Sequence, residues 1–207
     1  MKLALIGNGK MGHMLASLCE AEEDLQVAGL VGPGDAASLA ELPDAELAID
    51  FSYPGNLEPM LAEAIRRQLP LVIGTTGLNA EQERQIREAA KTLPIVWANN
   101  FSTGVTVLLR LARQAAEALG EDFDIEITET HHRQKVDAPS GTAKALLKAV
   151  DPEGERRVLH GREGIVGARG HEIGMHALRG GTVAGEHRVQ FFGRMEEIEL
   201  RHRADSR

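Results

Sequence analysis

The sequence has one cysteine, few aromatic residues and no long apolar run. Cys19 stands alone among 207 residues, which excludes an internal disulfide framework and suits a reducing compartment. Aromatics make up 3% of the chain, and 31 acidic against 23 basic side chains leave a formal net charge of −8. A nucleic-acid partner needs basic surface and stacking rings, so none is expected. No apolar run approaches the ~20 residues that a membrane helix requires. The start, Met1-Lys2-Leu3-Ala4-Leu5-Ile6-Gly7, runs straight into a strand without the layout of a leader peptide. The expectation is a cytoplasmic protein with no membrane partner. What is present is globular in character: 43% of residues are apolar, enough for one large domain or two small ones.

The average charge hides an asymmetry. Residues 1–102 carry seven basic and fourteen acidic side chains, whereas residues 103–207 carry sixteen and seventeen. Seven of the eight histidines fall in the second part, and only His13 in the first. Two differently built domains, 1–102 and 103–207, are the simplest reading.

The first part alternates short apolar runs with amphipathic stretches. Leu3–Ile6, Gln26–Val31, Leu47–Phe51, Leu71–Ile73 and Ile95–Trp97 have the length and bounding turn residues of buried strands. Met11–Ala21, Leu57–Gln68 and Ala80–Lys91 show the helical spacing of three and four, and Asn79 with Gln82 reads as an N-cap and its helper. Such alternation means a parallel sheet with helices on its faces. The Gly32–Glu46 connection is too short for a long helix. After Ser102 the pattern changes. Thr103–Leu119 reads as one helix ended by Gly120, Phe123–Glu129 alternates like a half-exposed strand, and Gly141–Val150 is a short helix. Glu172–Leu178, Thr182–Phe192 and Glu196–Arg203 read as strands, with a turn at Gly180-Gly181 and a mobile loop from Gly161 to Gly174. The expected fold class is α/β followed by a mixed α+β domain.

Gly7-Asn8-Gly9-Lys10-Met11-Gly12 is a G-x-G-x-x-G between the first strand and the first helix. The first glycine allows the tight turn, the second the approach of a pyrophosphate, and the third close helix–strand packing, while Lys10 adds a point charge. A lone motif of this kind is weak; its βαβ setting makes dinucleotide binding the better reading than a chance glycine turn. The end of the second strand, Leu30-Val31-Gly32-Pro33-Gly34-Asp35, offers neither a well-placed acid for NADH nor an arginine for NADPH, so the choice of cofactor stays open. Gly74-Thr75-Thr76-Gly77 and Asn99-Asn100-Phe101-Ser102 follow the fourth and fifth strands, where open sheets bind ligands, but they equally read as polar capping loops.

The densest signal is Glu129-Thr130-His131-His132-Arg133-Gln134-Lys135-Val136-Asp137-Ala138-Pro139-Ser140-Gly141-Thr142-Ala143. Two histidines, an arginine and a lysine precede a Ser-Gly-Thr helix start that offers backbone N–H groups and hydroxyls to an anion. His131 and Lys135 suit proton transfer if both face one cavity. A solvated basic loop is the competing reading; no metal is expected, because no H-E-x-x-H or cysteine pair accompanies the histidines. His187 and His202 read as structural histidines, Arg162 and His160 as groups meeting substrate or a neighbouring subunit, and Met175 and Phe191 as core or interface.

This run resembles the signature of the dihydrodipicolinate reductase family. The other motifs agree in order: Gly7–Gly12, Asp50-Phe51-Ser52, Val72–Gly77, Asn100–Val105, Arg179-Gly180-Gly181, Val183–His187 and His202–Arg207. The resemblance covers essentially the whole chain. It implies NADH- or NADPH-dependent reduction of 4-hydroxy-tetrahydrodipicolinate, a small-molecule dicarboxylate, with loss of water, in a cytoplasmic homotetramer of lysine biosynthesis. It assigns the cofactor to Gly7, Asn8, Gly9, Lys10, Met11, Gly12, Gly74, Thr75, Thr76, Ala98, Asn99, Asn100 and Phe101. It makes His131 the catalytic histidine and Lys135 the proton donor, and gives His132, Ser140, Gly141 and Thr142 to a substrate carboxylate. The other function classes are a nucleotide-binding regulator without activity and a Rossmann dehydrogenase acting on another substrate. In the family, a Ser-Arg like Ser206-Arg207 is followed by roughly thirty residues, about a βα unit. Their lack here leads to the expectation of a truncated, less stable form.

Overall fold

A computed structural model describes residues 1–32 and 44–206. Most of the Gly32–Glu46 connection, including Asp35, lies outside the described residues. The chain forms two compact units, Met1–Asn99 and Asn100–Arg207.

The first unit is a five-stranded parallel sheet, with β1 (Lys2–Ile6), β2 (Gln26–Val31), β3 (Leu47–Asp50), β4 (Leu71–Ile73) and β5 (Ile95–Trp97) in the spatial order β2-β1-β3-β4-β5. Helices α1 (Lys10–Glu20), α2 (Leu57–Arg67) and α3 (Ala80–Ala89) connect them. The apolar stripes of α2 and α3 supply Leu57, Met60, Leu61, Ala64 and Ile86 to a core shared with Ala4, Ile6, Ala48, Leu71 and Ile73. β1 is buried on both faces from Leu3 to Ile6, which is why it reads as a continuous apolar run, whereas Val96 of β5 is 57% exposed. Asn79 accepts the Gln82 N–H and Gln82 accepts the Asn79 N–H, a reciprocal capping box that starts α3. Strand pairing aligns the carboxyl ends: Ile6 opposes Asp50, Asp50 opposes Ile73, and Ile73 opposes Trp97. The segments after β1, β3, β4 and β5 therefore leave the sheet side by side.

The second unit carries α4 (Thr103–Leu119), β6 (Asp124–His131), α5 (Gly141–Val150), β7 (Arg157–Leu159), β8 (Glu172–Arg179), β9 (Gly185–Phe192) and β10 (Glu197–Ala204). The sheet order is β10-β9-β6-β8-β7, antiparallel from β10 to β6 and parallel from β6 to β7. Alternate residues Ile125, Ile127, Ile173, Met175, Val189 and Phe191 are buried with Leu108, Ala112 and Leu146 of the two helices. Met175 and Phe191 are thus core residues. The Ser102 hydroxyl caps α4, and Gly120, at φ 62°, ends it in a conformation that L side chains rarely adopt.

Two strand ends differ from the sequence reading by two residues or more, and one strand goes unread. β6 runs two residues past Glu129, because it keeps pairing with β8 as far as His131 opposite Arg179. β9 starts at Gly185 rather than Thr182, since the Gly180 N–H donates to the His131 carbonyl and the Arg133 N–H to the Gly181 carbonyl, turning the chain there. β7, three residues with two apolar side chains, has too little pattern to be read at all. Among the described residues, no helix is long and apolar enough to cross a membrane.

Candidate active site

In the first unit, Gly7 leaves β1 at φ 115° and donates its N–H to the Val31 carbonyl. A Cβ on Gly7 would lie 2.4 Å from the Phe51 carbonyl oxygen, and one on Gly12 would lie 1.8 Å from the Gly7 oxygen. Both glycines are there because backbone passes where a side chain would be. Gly9 differs: among the described residues, nothing lies within 4 Å of its notional Cβ. Gly9 is also the N-cap of α1, with no side-chain cap and no acidic residue in the first turn. The first amides of a helix lack intrahelical partners, so this end is open to an anion, with Asn8 and Lys10 exposed beside it and Met11 half-buried. The motif's shape fits a pyrophosphate.

The neighbouring turns are tied together by a buried acid. Asp50 accepts the Ser52 N–H at 3.1 Å and the Ser52 hydroxyl at 2.5 Å, and the Ser52 N–H is shared with the Thr75 hydroxyl oxygen at 2.9 Å. Burial pushes the Asp50 carboxyl upward, and the hydrogen bonds from Ser52 and Thr75 offset only part of that rise. A Cβ on Gly74 would stand 2.3 Å from the Phe51 ring. Thr75 is buried, Thr76 and Asn99 are exposed, and Ala98 donates its N–H to the Ile73 carbonyl.

In the second unit the signature run folds around one carboxylate. Glu129 sits on the inward face of β6, fully buried, where alternation with Ile125 and Ile127 would place an apolar residue. Its Oε2 accepts from His131 Nδ1 at 2.5 Å and Arg179 Nη1 at 2.8 Å, while its Oε1 accepts from Arg179 Nη2 at 2.8 Å and the Ser140 N–H at 3.1 Å. Burial raises the carboxyl, but Arg179, His131 and the Ser140 N–H together outweigh it and hold Glu129 below the usual carboxylate range. The Ser140 hydroxyl caps α5 by accepting the Ala143 N–H and shares a 3.0 Å hydrogen bond with His187 Nε2. The His131 and His187 rings meet edge to face at 5.1 Å. Burial first, then the nearby His131 charge, pushes His187 down to about 4.

Asn100, at the start of the second unit, donates from Nδ2 to the Thr142 hydroxyl at 3.1 Å. Lys135 is on the turn closed by its N–H to the His132 carbonyl, and its ammonium pairs with Asp137 at 2.7 Å. His132 is half-buried and Phe101 is 46% exposed. So His131, Ser140 and Thr142 come together, Lys135 is held by its own acid, and Asn100 joins the α5 start. Arg162 is committed elsewhere: its fork grips Glu126 and Glu172, and Arg169 reaches Asp124 and Glu126, so both ends of the Gly161–Gly170 loop are fastened to the sheet. His160 lines a separate hollow with Pro139, Met175 and His176. Among the described residues, no group of three or more His, Cys, Asp or Glu side chains is arranged to hold a metal ion.

Sequence reasoning missed Glu129, Arg179 and His187 as members of this cluster. A signal existed for two of them: Glu129 and His187 each break a run of apolar residues on the inward parity of a strand, and an unneeded polar group in a core is costly.

Comparison with known proteins places the whole chain. Residues 1–101 match the model for the N-terminus of dihydrodipicolinate reductase, and residues 104–207 match that for its C-terminus. The 4-hydroxy-tetrahydrodipicolinate reductase of Akkermansia muciniphila is 44% identical over 97% of this chain and 83% of its own length. That of Rubrobacter xylanophilus is 45% identical over 97% and 74%. In fold, the chain is similar to a dipicolinate-bound dihydrodipicolinate reductase from Paenisporosarcina sp. TG-14, with a TM-score of 0.74 at 24% identity, covering 100% of this chain and 89% of that one. Two terminal models that together span the sequence, and relatives of this identity, leave one conclusion: the chain belongs to the dihydrodipicolinate reductase family.

Proposed function

We propose that this chain reduces 4-hydroxy-tetrahydrodipicolinate to tetrahydrodipicolinate with loss of water, using NADH or NADPH. The observation that carries the reading is the folding of Glu129–Thr142 into one anion-ready site within a chain that matches the reductase family from end to end. Residues 1–102 act as the dinucleotide-binding domain and 103–207 as the substrate-binding and oligomerisation domain. Gly7–Gly12, Gly74–Thr76 and Ala98–Phe101 hold the nucleotide; bound NADH or NADPH supplies the hydride.

The chain's own residues do the rest. The Ser140 and Thr142 hydroxyls, the amides of Gly141 and Thr142 and the His132 ring hold a substrate carboxylate through hydrogen bonds that its charge strengthens. His131 offers Nε2, the nitrogen that Glu129 does not engage, to the reacting ring. As charge builds on the side of the conjugated ring away from hydride addition, Lys135 Nζ delivers the proton there. A cytoplasmic homotetramer completes the reading. The sheet face opposite α4 and α5, where Leu178 and Phe192 stand exposed, is the surface available for association.

The test follows nicotinamide absorbance with enzymatically generated substrate and each cofactor in turn. Oxidation is expected, and the better cofactor settles what the end of β2 leaves open. Nucleotide bound without oxidation would favour a regulatory protein. Lys135→Ala is expected to lower kcat by about a hundredfold or more while nucleotide affinity holds; unchanged turnover would remove Lys135 from its role.

A further inference from the structure

The carboxylate at the centre of the second unit has four donors aimed at it and no exposure to water. An ionised carboxylate only accepts hydrogen bonds, so the His131 nitrogen facing it must carry the proton. Neutral His131 is therefore the Nδ1–H tautomer, and Nε2 keeps its lone pair. The ring's other neighbours agree with a fixed pose. It meets His187 edge to face, and Nε2 lies 3.1 Å from where a Cβ on Gly185 would stand, so only glycine leaves the ring its full room. Arg179 balances the buried charge with a two-pronged grip and also donates to the Asp137 carbonyl, fastening the loop that bears Lys135.

We propose that Glu129 is the positioning residue of this site, setting the tautomer of His131 through one oxygen and fixing the Ser140 end of α5 through the other. Histidine and carboxylate-binding helix start then share one anchor, 11 residues from Ser140 and 50 from Arg179 in sequence. This deepens the reading given under Proposed function and rests on His131 acting in the reaction. A carboxylate that served only as a buried partner for Arg179 would need no contact with His131 or Ser140.

Glu129→Gln discriminates between the two. At the Oε1 position an amide NH2 would confront two donors, the Ser140 N–H and Arg179. At the Oε2 position it would confront Arg179 and the one group able to change, His131. The amide settles with NH2 toward His131, which inverts to the Nε2–H tautomer. Nitrogen-15 NMR of the imidazoles in the full chain is expected to show Nδ1–H for His131 in the wild type and Nε2–H in Glu129→Gln. The kcat is expected to fall by about a hundredfold or more, toward the roughly ten-thousandfold loss seen when a buried acid no longer sets a catalytic histidine's tautomer. Nucleotide Kd stays unchanged. Retention of the Nδ1–H form in the variant overturns the proposal. An inverted tautomer with undiminished kcat instead refutes the role of His131, and the positioning role falls with it. Glu129→Gln/Arg179→Gln removes both charges together and gives the same NMR reading should the single variant not fold.

Discussion

His187 makes the second unit acid-sensitive, and the size of the effect follows from its surroundings. The ring is 4% exposed on β9, opposite Glu129 on β6 and His202 on β10, and its buried Nδ1 has no hydrogen-bond partner among the described residues. Burial is the main reason its pKa falls from 6.5 to about 4; the charges of His131, His202 and Lys135 add to it, and Glu129 opposes them. The folded pKa is depressed, so between these two values the unfolded chain holds a proton that the folded chain refuses. The stabilisation is complete above pH 6.5 and is lost as pH falls toward 4. Linkage gives a loss of about 2 kcal/mol between pH 7 and pH 5, and about 3 kcal/mol by pH 4. Fluorescence will not see it, because the one tryptophan and the one tyrosine, Trp97 and Tyr53, both belong to the first unit. Hydrogen exchange of the β9 amides, corrected for the pH dependence of the intrinsic rate, reports the right element. In wild type, β9 protection is expected to drop by about 2 kcal/mol between pH 7 and pH 5. In His187→Gln, which keeps a donor for the Ser140 hydroxyl and cannot titrate, that drop is expected to vanish. Equal losses in the two proteins would refute the reasoning.

Two further outcomes test the first unit. Gly9→Ala is expected to leave the melting temperature unchanged and to weaken NADH binding by about tenfold or more, because Gly9 has an ordinary φ of −100° and open space where a pyrophosphate would approach. Gly12→Ala forces a Cβ against the Gly7 carbonyl and should cost about 1–3 kcal/mol as well as affinity; calorimetry and NADH titration separate the two cases, and equal stability losses would contradict the assignment. Asp50 carries the opposite sign to His187: its folded pKa is raised, so its contribution is full at low pH and is lost as pH rises through the folded value. Asp50→Asn, which keeps an oxygen for Ser52, is expected to melt no lower than wild type at pH 7, with its advantage shrinking as pH falls through the raised folded value of Asp50. A lower melting temperature at pH 7 would show that the charged form is needed.

Much of the frame could be read from the sequence because its signals are local. The parallel strands announce themselves as short apolar runs, β1 most clearly because both its faces are buried, and Asn79 with Gln82 marks the start of α3 through contacts three residues apart. Thr103–Leu119 and Gly141–Val150 carry their caps in Ser102, Gly120 and Ser140. What escaped is what the sheet assembles. Arg179 reaches Glu129 from 50 residues away and His187 meets Ser140 from 47, through strand pairings that no short window contains. His187, read as structural, does fill a core position, yet it touches the groups that hold the site. β7 escaped for another reason: three residues on a sheet edge need only one neighbour and carry almost no periodicity.

The basic cluster of the signature run takes on a different meaning in the folded chain. Read linearly, two histidines, an arginine and a lysine look like surplus positive charge laid out for a dicarboxylate in an acidic protein. Folded, the run's own Lys135 is paired with Asp137, and its Glu129 is met by Arg179 arriving from β8. The two pairs are not equivalent. Glu129 is inaccessible to water and its guanidinium grip is bidentate, so an arriving carboxylate cannot displace it without leaving a charge buried. Asp137 is 53% exposed and makes a single contact with the ammonium, the kind of pair that stabilises by at most about 1 kcal/mol. Of these two cations, Lys135 is the one that the proposed substrate would recruit, while Arg179 stays in the frame. On the proposed reading, the permanent attraction comes from groups without a net charge, the amides and hydroxyls at the start of α5, held in place by the Ser140–Glu129 hydrogen bond. A site of this kind keeps its geometry whether or not the lysine is engaged.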